Sequence, residues 1–216
     1  MSRVAASHAR RQEILRAALE CFVTRGFEAT TIDDIRARSG ASVGSIYHHF
    51  GSKEELAAAL YLEGLRDYQA GFVRELRRHR SAEAGIRGVV AYYLTWVERH
   101  ADWARYLFAM GDLGAALSGR ALQELNQAFF RDVAAWMQPH IERGAIVRLP
   151  PDLYRPVLFG PLHEFSRQWL AGRSSSTMAE ARRVLPAAVW RSLQGPGAGR
   201  QRPAGGGDGQ GEEAGS

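Results

Sequence analysis

The sequence predicts an all-α fold, and three observations carry that prediction. Apolar residues recur at three- and four-residue steps through nearly every segment up to about residue 194, the spacing that lines one face of a helix. No sustained period-two run of β-branched residues marks a half-buried strand. Hydroxyl residues open the apolar segments and glycines close them, as at helix ends.

Residues 1–8 read as an N-terminal arm, and the first helix follows, with Ile14, Ala18, Cys21 and Phe22 on one face. Gly26 stands where a left-handed C-cap belongs, and Phe27 is placed to fold back on the helix end. Thr31 with Asp34 makes a capping box for a short second helix that ends at Ser39-Gly40. A third helix spans about Ser42 to Phe50, and Gly51-Ser52 separates it from a long fourth helix beginning at Lys53. Along that helix Leu56, Leu60, Leu65, Tyr68, Phe72 and Leu76 form an apolar stripe. Further helices are expected at about 82–99, 102–116, 120–143, 152–171 and 177–193, the last opened by a Thr177/Glu180 capping box. Pro161 and Pro186 are expected to bend the last two. Residues 195–216 hold nine of the chain's 23 glycines and no aromatic residue, and are expected to be disordered.

The chain has 216 residues, 45% of them hydrophobic, enough for one large domain or two small ones with a real core. No apolar run approaches the roughly 18 to 20 residues that cross a bilayer, and the start shows no signal-peptide h-region. One cysteine, Cys21, excludes a disulfide framework and a cysteine zinc site. A cytoplasmic protein is expected. The net charge of +5 permits a nucleic-acid partner without arguing for one, since residues 1–60 carry eight basic and seven acidic groups. Lys53 is the only lysine among the 28 basic side chains.

Two short helices around a glycine-containing turn, within residues 31–50, form a candidate helix-turn-helix. At 100° per residue, Val43, Ile46 and Phe50 cluster on an arc that should pack on the first two helices. The opposite arc carries Gly44, Ser45, His48 and His49, with Tyr47 at the border and no acid. Such a face suits a major groove: Gly44 allows close approach and Ser45 can meet a base edge. Tyr47, His48 and Lys53 suit phosphates, and Thr31 and Lys53 stand where free backbone N–H groups attract an anion.

The run Gly44-Ser45-Ile46-Tyr47-His48-His49-Phe50, followed by Ser52-Lys53-Glu54 and preceded by Gly26-Phe27, Thr30-Thr31-Ile32 and Gly40-Ala41-Ser42, resembles the N-terminal domain of TetR-family transcriptional regulators. The likeness covers about residues 9–68. It implies a bacterial homodimer on a near-palindromic operator, with a helical C-terminal domain, here residues 69–194, for dimerisation and a small ligand. It also implies DNA contacts at Thr31, Ser42, Ser45, Tyr47, His48 and Lys53, no cofactor, and most often repression.

A rival motif is Gly40-Ala41-Ser42-Val43-Gly44, which fits the nucleophile elbow of α/β-hydrolases. That elbow needs a buried strand before the serine, and the capped segment Thr31–Ser39 reads as helix. Serine as N-cap of a reading helix accounts for the same five residues better. Metal binding finds no H-E-x-x-H pattern among His140, Glu142, His163 and Glu164.

The second domain is rich in aromatics, most of which must be core. Trp96, Trp103, Phe130, Phe159 and His163 are the candidate lining of a pocket for an apolar or aromatic effector. Leu158–Gly172 resembles the penultimate helix of many TetR-type proteins, which pairs with a partner's copy. Leu162, Phe165, Trp169, Leu185, Ala188 and Val189 offer stripes for that interface, although packing inside one chain would use the same residues.

Overall fold

The helices begin where side-chain oxygens meet orphan amides. Thr31, Ser42, Ser52, Ser81 and Thr177 each accept the backbone N–H three residues on, satisfying a donor that the first turn leaves unpaired. In this computed structural model residues 3–198 are described. Among them the helices are α1 (Arg3–Arg25), α2 (Ile32–Ser39), α3 (Val43–Phe50), α4 (Lys53–Arg77), α5 (Ala82–Arg99), α6 (Ala101–Glu142), α7 (Pro151–Leu170) and α8 (Met178–Leu193). The fold is all-α. Most of the expected arm is the first turns of α1.

Two cores form. In the first, Ile14, Ala18 and Phe22 of α1 meet Ile35, Ile46 and Phe50 and the start of α4 at Leu56 and Leu60. In the second, Phe72 and Leu76 of α4 pack with Val89, Val90 and Leu94 of α5, Leu158 and Leu162 of α7 and Val189 of α8. Two helices serve both cores. α4 is one; the other is α6, whose Tyr106, Met110 and Leu122 belong to the first and whose Phe129 and Met137 belong to the second. Tyr106 stacks on Phe22 at 5.8 Å and donates its hydroxyl to Ala57 O at 2.8 Å. Glycines let α4 and α6 approach: a Cβ at Gly64 would lie 2.4 Å from the Trp103 ring, and one at Gly114 2.5 Å from Tyr61.

The structure sharpens the expected elements. The two helices expected at about 102–116 and 120–143 are joined as α6 across non-helical steps at Gly111 (φ 24°) and Gly119 (φ 48°), the second falling at the expected boundary. Pro161 and Pro186 lie inside α7 and α8, which continue past them. The tail expected to be disordered from 195 is held over its first four residues. Gly195 N donates to Ala145 O at 2.9 Å and Gly197 N to Gly144 O at 2.8 Å, beside an Ile146–Gln194 bridge. The loop after α6 supplies carbonyls that need donors, and a Cβ at Gly195 would sit 2.2 Å from Gly144 O. The rest of that expected tail, 199–216, lies outside the described residues. No helix among the described residues is long and apolar enough to cross a membrane.

Candidate nucleic-acid interface

α2 enters through a complete capping box. Asp34 N donates to Thr31 Oγ1 at 3.2 Å, Thr31 N returns to Asp34 Oδ2 at 2.9 Å, and Arg25 pairs with the same carboxylate at 2.5 Å. These bonds hold the Asp34 carboxyl below its ordinary range, the Thr31 backbone donor first. Gly40 then takes φ 67°, a left-handed turn that a side chain would resist, and the chain reverses into α3. Ile35, Ile46 and Phe50 are buried and fix α3 across α1 and α2. Val43, expected on the same arc, is 38% exposed instead. It is the first residue of α3 and overhangs the turn, beyond the neighbours that cover Ile46.

The outer face stands free. Ser42, Gly44, Tyr47 and His48 are exposed and Ser45 is half-buried. Ser42 Oγ accepts Ser45 N at 3.1 Å, which leaves its hydroxyl proton available to a partner. A Cβ at Gly44 would meet no atom within 4 Å, so the space beside that glycine lies outside the protein. α3 carries no carboxylate. His49 turns back toward α1, and burial, then His48 and Arg11, lower its imidazole pKa.

Lys53 is placed differently from the expectation. Its Nζ donates to Phe27 O at 3.1 Å, Glu28 O at 3.4 Å and Thr30 O at 3.1 Å, and lies 4.5 Å from the Phe27 ring centroid. An ammonium has three donors, and all three are engaged inside the chain. The residue expected on a phosphate therefore pins the α1–α2 turn to the start of α4. The carbonyls converging at that point outweigh solvent because several charge-assisted bonds form at once. Nor is Ser42 at a nucleophile elbow: α2 precedes it, not a strand, and its oxygen caps α3.

Residues 14–60 match the family described as "Bacterial regulatory proteins, tetR family". These residues are a tetR-family helix-turn-helix segment. Among its relatives, the repressor AcnR of Corynebacterium diphtheriae is 39% identical over 94 residues, 44% of each chain. The activator FasR of Mycolicibacterium smegmatis is 32% identical over 99 residues, 46% of this chain and 45% of that one. The chain thus spans less than half the length of these two relatives. The likeness of fold runs further. A TetR-family transcription regulator from Marinobacter aquaeolei superposes with a TM-score of 0.76 at 18% identity, over 90% of this chain and all of that one.

Beyond the tetR domain, three of the five expected pocket residues meet in one aromatic cluster. Trp96 packs on Tyr68 at 5.3 Å and donates its indole N–H to Asp67 at 2.8 Å. The His163 ring lies 5.7 Å from each of Tyr93, Phe108 and Phe159, although part of the residue is open to solvent. Burial lowers its imidazole pKa and raises the Tyr93 hydroxyl. Trp103 is elsewhere, against Gly64, and Phe130 is 42% exposed. Sequence reasoning missed two buried hydroxyls of the same region, Tyr68 Oη, which has no hydrogen-bond partner, and Ser166 Oγ, which makes no well-formed bond and has the Tyr93 hydroxyl as its polar neighbour; helical spacing carries no sign of them. Of the expected interface residues, Leu162 and Val189 are corrected: each is 1% exposed and belongs to the second core. Phe165, Trp169, Leu185 and Ala188 are half-buried, while Leu153 of α7 and Val184 of α8, not singled out before, are exposed.

Proposed function

We propose that the chain is a homodimeric, sequence-specific transcriptional regulator of bacterial cytoplasm that lays α3 in the major groove of a palindromic operator and represses from there. The observation that carries this reading is the outer face of α3, exposed, without acid, and with an open space beside Gly44. Ser45 and Gly44 read base edges. Thr31, Ser42, Tyr47 and His48 hold the backbone, and Lys53 supports them from behind. Dimerisation falls to α7 and α8 through Phe165, Trp169, Leu185 and Ala188, extended by exposed Leu153 and Val184.

Release follows from differential binding. A small, mainly apolar effector with a hydrogen-bonding group would satisfy Tyr68 Oη and Ser166 Oγ among Trp96, Phe159 and His163. If it favours a form whose reading helices no longer match major grooves about 34 Å apart, operator affinity falls. α4 and α6, shared by both cores, connect the two events. A second reading, activation, is favoured by the likeness to the activator FasR. Selection of bound duplexes from a random pool tests the proposal: an inverted repeat is expected, and no sequence preference even at low salt would sink it. A reporter behind the selected site then separates repression from activation.

A further inference from the structure

α1 begins before it has a core to join. Residues 4–10 are exposed, and Ile14 is the first buried residue of the helix. At 1.5 Å per residue, the turns from Val4 to Ile14 extend about 15 Å ahead of that core. Val4, Ser7, His8 and Arg11 stand at three- and four-residue steps, hence on one face. That face and His49 of α3 line a cleft of about 510 Å³. The cleft adjoins the outer face of α3, because the rings of His49 and exposed His48 lie 5.5 Å apart.

Its walls are basic. Residues 4–12 hold His8, Arg10 and Arg11 and no carboxylate, and α3 holds none either. Two acids come near, and both are engaged: Glu13 pairs with Arg10 at 2.8 Å and Glu63 of α4 with Arg11 at 3.2 Å. Those pairs leave His8 and His49 without an ionic partner among the described residues. Ser7 adds an exposed hydroxyl on the same wall. Hydroxyl, imidazole and guanidinium groups beside the proposed reading helix match the anion that repeats along a duplex, the backbone phosphate.

We infer that this cleft seats a backbone phosphate of the duplex that α3 reads, with Ser7, His8 and His49 as its donors. α1 then becomes a second arm of the interface, beyond the contacts at Thr31, Ser42, Tyr47 and His48. The inference rests on the DNA-binding reading above and adds a pH signature to it. Burial, then His48, Arg11 and Arg10, lower the His49 imidazole below its ordinary value. The charged groups around it are His8, Arg10 and Arg11 of α1, His48 of α3 and, behind Arg11, Glu63 of α4. A phosphate against the ring favours its protonated form, so binding takes up a proton and affinity rises as pH falls.

Gel-shift titrations of the full chain at about pH 6, where imidazoles carry charge, test the inference. The probes are a duplex of arbitrary sequence at low salt and the duplex that selection returns, since a phosphate contact is indifferent to sequence. Ser7→Glu, which puts a carboxylate in the cleft, should weaken binding about tenfold, and Ala6→Glu, the same charge on the opposite face of α1, about threefold at most. His8→Ala should lower the salt slope by about one. His8→Ala with His49→Gln should lessen the gain in affinity on acidification from about pH 7.5 to 6. Positions 6, 7 and 8 are exposed, and melting temperatures show that each variant is folded. Equal losses in the two glutamate variants, or an unchanged salt slope and pH gain in the histidine variants, would overturn the inference and leave the reading of α3 standing. Failure of the unaltered chain to bind any duplex would remove both.

Discussion

Thr30, before α2, and Ser166, on α7, are both buried hydroxyls, and their surroundings differ. Thr30 Oγ1 reaches Gly26 O at 2.7 Å and Cys21 O at 3.2 Å, whereas Ser166 Oγ makes no well-formed hydrogen bond, its polar neighbour being the Tyr93 hydroxyl. The contrast is general among the described residues. The buried side-chain polar atoms left unpaired are those of Tyr68, Gln69, Ser118 and Ser166, all on α4, α6 and α7 and none on α1, α2 or α3. The α1–α3 unit satisfies its buried hydroxyl within the chain and carries its free hydrogen-bonding groups outside, on α3. The long helices keep unpaired polar atoms inside.

Five measurements break or sharpen this contrast. Phe72→Ala should cost about 3–5 kcal/mol in urea unfolding, with a single transition because α4 and α6 tie the cores together; two transitions would show that the domains melt apart. Lys53→Ala should cost about 1–2 kcal/mol, and Lys53→Arg should not restore it, a planar fork being a poor match for three carbonyls around one point. Thr30→Val should cost about 1 kcal/mol, while Ser166→Ala should be neutral or stabilising, since it removes a group with no well-formed bond to lose. Equal losses at both positions would refute the comparison. Tyr47→Phe should weaken the selected operator about fivefold in a fixed-salt gel shift, with the melting temperature unchanged.

The smallest effect is a pH dependence. Burial, then the Arg143 guanidinium, lower the His140 imidazole below its ordinary value, and Arg143 lies 3.2 Å from its Nδ1. The unfolded chain then takes up a proton that the folded chain resists. This contribution is therefore complete above about pH 6.5 and is lost as pH falls through the depressed folded value. Urea midpoints should decline on acidification across that range, less steeply in His140→Gln.

Local chemistry was legible in the sequence and distant chemistry was not. The limits of α2 and α3 could be read because Thr31, Gly40 and Ser42 act within three or four residues of themselves. Lys53 could not, for its partners lie 23 to 26 residues back. The same holds for Trp96 and Asp67, 29 residues apart. Periodicity identified Leu162 and Val189 as apolar-face residues but is silent on whether the covering surface belongs to the same chain. It also overextended the inner arc of α3 to Val43, because a stripe gives direction and not the reach of the neighbouring helix.

Lys53 has a mechanical consequence. It is the first residue of α4, and the carbonyls it grips run directly into Thr31, the threshold of α2. A connection clamped at both ends has no slack. A tilt of α4 would therefore not be absorbed in the joint but carried into α2 and α3 as a turn of the whole unit, like a tiller fixed to its rudder.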